Sequence, residues 1–297
     1  MTEASDGTHC IDLLTCPLCG AGFMQEDRAL KCANRHAFDI AREGYVNLLL
    51  GKARGDTREM LLARRNFLER DHYRPLSQAI NEHIYQYLGG RAGRESEYGG
   101  CAILDVGCGE GYYSGNLVRN LEQRLPATHI RCLGLDISKD AVKMAARRAH
   151  AGEGCFVVAD VTERLVVADR SLHVLLNIFA PRNPAEFARV VVPGGMLLIA
   201  IPGPSHLLSL RSTLKLLDIE KDKQRHVVAQ FQDLFTLVTV SPVTYELHLH
   251  SQDIVNAVKM TPNYWHMSEQ NRAAAEGIEL LHTEAEFTCL IFLRSEG

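Results

Sequence analysis

Between Cys101 and Gly111 the chain reads C-A-I-L-D-V-G-C-G-E-G, an apolar run that ends in three glycines at alternate positions. No other stretch restricts the fold so tightly. The apolar run suits a buried strand, and the glycines suit a turn whose backbone adopts conformations and close approaches that a Cβ forbids. From Tyr112 to Leu125 apolar residues recur at helical spacing. The segment therefore reads as strand, tight turn and helix, and the carboxyl end of such a strand is a seat for a ligand. Asp105, Gly107, Gly109 and Gly111 are its candidate residues; the alternative is a turn built this way for steric reasons alone.

The spacing discriminates between ligands. A dinucleotide fingerprint places its third glycine where this chain has Tyr112, so a pyrophosphate loses its key contact. What remains, D-x-G-x-G-x-G, resembles motif I of class I S-adenosylmethionine-dependent methyltransferases. That resemblance implies S-adenosylmethionine as cofactor, with its amino acid moiety against the glycine loop. Downstream, strands and helices alternate, with strands expected near 101–106, 130–136, 155–159, 172–177 and 195–201, and further ones near 243–249 and 287–293. The expectation is an α/β fold, a class I methyltransferase Rossmann-like doubly wound parallel sheet with helices on both faces. Gly194-Gly195 after V-V-V-P resembles the turn before the fifth strand of that class.

Asp136, closing I-R-C-L-G-L-D, stands where a carboxylate accepts from ribose hydroxyls, or caps the helix starting at Ser138; the roles are compatible. Asp160, after C-F-V-V-A, would meet the adenine amine. Asn177 to Pro184 follows the fourth strand, where this fold presents groups to the methyl acceptor. Ile178 and Ala180 stand where an N-P-P-Y signature has a proline and its aromatic, which argues against an exocyclic amine acceptor. Phe179 suits either stacking on a base or packing in the core.

A second constellation lies near the amino terminus. Cys16-Pro17-Leu18-Cys19 is followed after twelve residues by Cys32 and then by His36. The C-x2-C knuckle puts two thiolates on one turn and the C-x3-H pair supplies the other edge, closing a tetrahedral Cys3His zinc site. Four protein ligands leave no position for water, so the metal is structural. The module is too small to fold on its own core, and chelation is expected to unfold it. A redox C-x2-C would open a helix after a strand, whereas Gly20 and Gly22 follow here. His9 and Cys10 fit no common ligand spacing.

The remaining six of nine cysteines are scattered, and an odd count suits buried thiols in a reducing compartment better than disulfides. Apolar runs are strand-length, and Met1 to Asp12 has neither basic nor apolar signal regions, so a cytoplasmic protein with no membrane partner is expected. A net charge of −4 excludes indiscriminate nucleic-acid binding. Residues 51–75 nevertheless hold seven Lys or Arg against four Asp or Glu. We expect residues 1–50 to form the zinc module, with return strands over 37–50. A helical basic linker should span 51–99, with Thr57 as a cap and a helix from Pro75 to Leu88, and the methyltransferase domain 100–297.

Taken in order, C-P-L-C with C-x3-H, F-D-I-A-R-E-G-Y-V-N-L-L, A-R-R-N-F-L-E-R-D-H-Y-R-P-L and L-D-V-G-C-G-E-G-Y-Y-S resemble the RlmA family of 23S rRNA guanine-N1 methyltransferases across nearly the whole chain. The run Asn177 to Pro184 is closer to the tylosin-resistance branch. The resemblance implies a 23S rRNA hairpin as partner, recognised with help from the zinc module, and the second of two neighbouring guanines in hairpin 35 as target; it admits a homodimer. It implies Tyr73, Gly109, Glu110 and His206 as cofactor residues, and Cys16, Cys19, Cys32 and His36 as zinc ligands. Packing and helix capping are the alternatives for Tyr73 and His206. Guanine N1 carries a proton, so a base or an O6-stabilising group is needed. Asn177, Arg182 and His173 are candidates by location, and Arg64 with Arg65 would grip RNA. The competing readings are a small-molecule methyltransferase with a structural zinc module and a non-catalytic zinc and S-adenosylmethionine-binding protein.

Overall fold

The computed structural model describes residues 10–52, 55–90, 100–149, 154–220, 222–261, 264 and 267–296. Most of the glycine-rich boundary near 89–100, part of the break after Gly51, and His9 lie outside the described residues.

The glycine-rich segment forms strand, turn and helix: β5 (Cys101–Val106) and α3 (Tyr112–Arg124), with Gly111 as the left-handed N-cap of α3. β5 is buried along its whole length. Ile103 packs with one apolar cluster while Ala102, Leu104 and Val106 pack with the other, as a strand covered on both faces requires. Around β5 lie β6 (Ile130–Asp136), β7 (Cys155–Val158), β8 (Leu172–Ile178) and β9 (Val191–Pro202), all parallel, with β6 and β7 on one side and β8 and β9 on the other. Strand order thus reverses at β5, and the glycine loop opens at that switch point.

The sheet is mixed rather than wholly parallel. β11 (Leu280–Arg294) runs antiparallel to β9 and pairs with β10 (Phe235–His250) in a hairpin. Both strands extend well beyond the segments expected near 243–249 and 287–293, and the exposed positions of β10, the edge strand, include Thr236, Thr244 and Glu246 as well as Val238 and Val240. β9 likewise starts before Gly194-Gly195 and carries both glycines within it.

The first fifty residues do not stand apart. A 3-10 turn (Ile11–Leu13) and three antiparallel strands, β1 (Phe23–Glu26), β2 (Ala29–Cys32) and β3 (Ala37–Asp39), form the small module. The return segment over 37–50 then divides: β4 (Val46–Asn47) leaves the module and pairs in parallel with β7 as the eighth strand of the large sheet. Leu48 N–H adds a bond to Val158 O, and Leu14 bridges to Val167. Leu13, Leu14, Phe23, Leu30 and Leu48 share one apolar cluster with Leu104 and Leu133 of the sheet.

Thr57 Oγ1 accepts from Met60 N–H and caps α1 (Arg58–Glu69), and Pro75 sits in the first turn of α2 (Arg74–Gly89). α4 (Lys139–Arg148) follows β6, α5 (Pro184–Val190) precedes β9, and α6 (Leu208–Leu214) and α7 (Lys223–Phe231) lead to the hairpin. α8 (Ser251–Lys259) and α9 (Glu269–Gly277) lie between the hairpin strands in sequence. α8 docks on α1, with the buried Asp253 carboxylate 3.0 Å from both Arg70 and His72.

Candidate active site and metal centre

In the small module, Cys16 and Cys19 share the turn before β1, Cys32 ends β2, and His36 follows Arg35, whose φ of 65° turns the chain back. The four ligand atoms all lie within 4.8 Å of one another. Sulfur to sulfur from Cys19 to Cys32 is 3.7 Å, and His36 Nδ1 stands 3.4 Å from the Cys16 sulfur and 3.5 Å from that of Cys32. A zinc tetrahedron with ordinary Zn–S and Zn–N bonds has S–S edges of about 3.8 Å and S–N edges of about 3.5 Å. The set fits zinc in size and chemistry. The Ala21 amide, chief among several hydrogen bonds, pulls the Cys19 thiol down to about 6, towards the thiolate a metal requires.

At the switch point Gly107, Gly109 and Gly111 have φ of 73°, 56° and 81°. A Cβ on Gly107 would lie 2.4 Å from that of Ala180, so the turn after β5 and the loop after β8 touch here. Asp136 ties this loop to the next strand: its Oδ2 accepts from Gly109 N–H at 2.9 Å and its Oδ1 from Ser138 N–H at 2.8 Å. Burial raises its pKa, and these two amides draw it partly back. The helix cap itself is Ser138, whose hydroxyl accepts from Ala141 N–H.

Asp105 is buried, takes a 2.5 Å hydrogen bond from Ser114 through Oδ2, and is pushed up to about 6 by desolvation. Glu110 is also buried, with Arg148 Nη2 2.6 Å from its Oε2; burial raises its pKa and the guanidinium opposes the shift. Asp160 follows β7 and holds the N–H and hydroxyl of Thr162 on one oxygen. Asp105 Oδ1, Glu110 Oε1, Tyr113 Oη and Asn177 Oδ1 are buried without hydrogen-bond partners among the described residues. Buried polar groups are nearly always satisfied, so a loop ringed by such acceptors fits a ligand rich in hydroxyl and ammonium donors. Beside it, a cleft of about 560 Å³ opens between Asn47, Leu49 and Gly55 on one side and Ile137, Ser138 and Val158 on the other.

Tyr73 and His206 meet. The Tyr73 oxygen is 3.0 Å from His206 Nε2, and Glu286 N–H donates to His206 Nδ1. That second bond leaves Nδ1 unprotonated, so the neutral ring carries its proton on Nε2 and donates it to Tyr73, whose own hydroxyl proton stays available. Burial, with the nearby Arg211, lowers His206 to about 3. Burial raises the Tyr73 phenol. Phe287 packs against both rings.

Phe179 is not a core residue: it is 44% exposed, with φ of 56°, and its ring centroid is 6.5 Å from that of Tyr73. A bulky side chain in the left-handed region is strained, and such strain clusters at functional sites. Of the three candidates for the proton transfer, Asn177 alone ends β8 beside Val106; its Nδ2 holds Pro181 O and its Oδ1 has no partner. Arg182 turns to Gln230 on α7. His173 is at the wrong end of the sheet, where its Nδ1 accepts from Ala102 N–H at the start of β5.

The basic segment is also largely committed. Arg65 pairs with Glu69, Arg70 with Asp253 and Arg74 with Asp71, while Arg64 pairs with Asp56 beside the glycine loop. Arg64 lies on the face of α1 that buries Met60, Leu61, Phe67 and Leu68. The expectation that it lies on an RNA-facing surface is therefore corrected.

A family model described as RlmA, N-terminal, matches residues 14–52, and one described as a methyltransferase domain matches residues 103–195. The 23S rRNA (guanine(748)-N(1))-methyltransferase of Streptomyces fradiae is 36% identical over 93% of this chain and 95% of its own length. A Micromonospora griseorubida protein, named for the same class of rRNA guanine-N1 methylation, is 38% identical over 85% of this chain and 87% of its own. Among solved structures, a loganic acid methyltransferase with S-adenosylhomocysteine superposes with a TM-score of 0.54 at 13% identity, covering 83% of this chain and 99% of that one, a likeness of fold alone.

Proposed function

Because the chain belongs to the family of 23S rRNA (guanine-N1)-methyltransferases, we propose that it methylates N1 of a guanine in a hairpin of its own 23S rRNA, the counterpart of guanine 748 in the Streptomyces fradiae enzyme's name. The observation that carries this reading is that similarity to those relatives runs through both the Cys3His ribbon and the glycine-loop domain. S-adenosylmethionine would supply an electrophilic methyl group on a sulfonium.

The protein's task is to align acceptor and donor and to remove a proton. In this proposal Gly107, Gly109 and Gly111 let the backbone approach the cofactor, Asp105, Glu110, Asp136 and Asp160 accept from its hydroxyl and amine groups, and Tyr73, held by His206, donates its free hydroxyl proton. Phe179, exposed and strained at the end of β8, is the stacking surface for the guanine. The unpartnered Asn177 Oδ1 is the acceptor for an N–H of that base. A guanine inside a duplex does not reach strand ends, so it must be exposed or flipped.

Cys16, Cys19, Cys32 and His36 would hold zinc as a structural ion. We propose residues 1–50 as the RNA-recognition module, 51–99 as the linker and 100–297 as the methyltransferase domain, acting in the cytoplasm. A homodimer is part of the proposal and is read by sedimentation velocity. Among the described residues no helix is long and apolar enough to cross a membrane. Removal of residues 1–50 is a poor test, since β4 belongs to the catalytic sheet. The direct test incubates unmodified 23S rRNA with labelled cofactor and maps the product by primer extension. N1 methylation blocks Watson–Crick pairing, so a stop at the expected guanine supports the reading, and label elsewhere or nowhere refutes it.

A further inference from the structure

Acidic groups crowd the glycine loop: Asp105, Glu110, Asp136 and, from the linker, Asp56. S-adenosylmethionine would bring an α-carboxylate of its own into this field. A fifth negative charge in a partly buried setting is strongly unfavourable without a facing cation.

Three guanidinium groups are near, of which Arg65 is paired with Glu69 and 45% exposed. Arg148 is held between two carboxylates, its Nη2 lying 2.6 Å from Glu110 Oε2 and 3.0 Å from Glu69 Oε1, so its charge is already offset. Arg64 is different. It rises from the middle of α1, and its Nη2 is anchored by Asp56 Oδ2 at 2.6 Å and by Met260 O, just past α8, at 3.0 Å. Its Nη1 points to the glycine loop, 3.7 Å from where a Cβ on Gly109 would stand, and has no hydrogen-bond partner among the described residues. The side chain is 28% exposed. A guanidinium fixed by one nitrogen, with the other held out over a glycine whose φ of 56° disfavours a side chain, is set in place before any ligand arrives.

We infer that Arg64 binds the α-carboxylate of the cofactor's amino acid moiety, with Asp56 and Met260 O holding the guanidinium in place. The inference rests on the cofactor reading above and adds a residue to it. It also gives the linker a function at the site, because Asp56 lies between the zinc ribbon and α1. The enzyme thereby distinguishes an adenosyl thioether with an intact amino acid tail from one without the carboxylate.

Calorimetry on the full-length, zinc-loaded protein tests this with S-adenosylhomocysteine and its decarboxylated counterpart, which lacks only that carboxylate. For R64Q, S-adenosylhomocysteine should bind about 10- to 100-fold more weakly than to the wild type, while the decarboxylated ligand keeps its affinity within about twofold. R64K should fall between. D56N, which loosens the guanidinium and leaves its charge, should also weaken the carboxylate-bearing ligand selectively. Equal losses for both ligands across these variants would make Arg64 a packing residue, and no loss for either would remove it from the site; both overturn the inference. If wild-type protein binds neither ligand, the cofactor reading itself fails and this inference with it.

Discussion

His206 should give the protein an acid sensitivity that a single substitution removes. Burial and Arg211 lower it from 6.5 to about 3, so the folded state binds fewer protons than the unfolded state between these values. Stability from this group is therefore complete above pH 6.5 and lost as the pH falls towards 3. Each unit in that window is worth about 1.4 kcal/mol, and integration from pH 7 to pH 5 gives a loss of about 2 kcal/mol from His206 alone. His206→Gln keeps an amide donor for Tyr73 but cannot titrate. Urea unfolding of both proteins, zinc-loaded, should give free energies that converge by about 2 kcal/mol between pH 7 and pH 5, since only the wild type carries this slope. Zinc release and other carboxyl groups act on both proteins alike and cancel. Parallel pH profiles would show that the fold does not lower the ring's affinity for its second proton, and the neutral tautomer assigned to the Tyr73 contact would then be wrong.

Asp105 should behave in the opposite sense. Desolvation pushes it up to about 6, so its ionisation destabilises the fold above that pH and not below about 4. Asp105→Asn should stabilise the protein by on the order of 3 kcal/mol at pH 7.5, with the gain largely gone by pH 4 and with weaker S-adenosylhomocysteine binding; a destabilised variant at pH 7.5 would contradict the assigned ionisation. Phe179→Leu should raise the KM for RNA about 10-fold or more and leave S-adenosylhomocysteine affinity unchanged, while Phe179→Tyr retains activity. An unchanged KM would deny the ring a place under the base.

What the sequence disclosed follows the range of each signal. Strand β5, its glycine turn and α3 were legible because their determinants are local: apolar run, positive-φ glycines, helical spacing. The zinc ligands were legible from spacing, since each pair sits on a single short turn. Tyr73 and His206, by contrast, are far apart in the chain and meet only through the packing of α1 and α2 against the sheet, so the resemblance alone nominated them. His173 and Asn177 lie on one strand at opposite ends, and only the strand's pairing with β5 tells which end faces the glycine loop. Arg64 looked like part of a basic surface because a charge count cannot see that its guanidinium turns in to Asp56 and the glycine loop.

Val46 and Asn47 contribute only two residues to the large sheet, yet they cover the outer side of β7. An uncovered strand side is a template on which another chain can add itself. The ribbon is thus a guard as well as the proposed recognition element: oxidation of its thiolates, or loss of the metal they are built to hold, should free the short strand and bare the backbone of Cys155–Val158. Metal starvation of this protein should surface first as self-association, with methyl transfer lost because the chains have left solution.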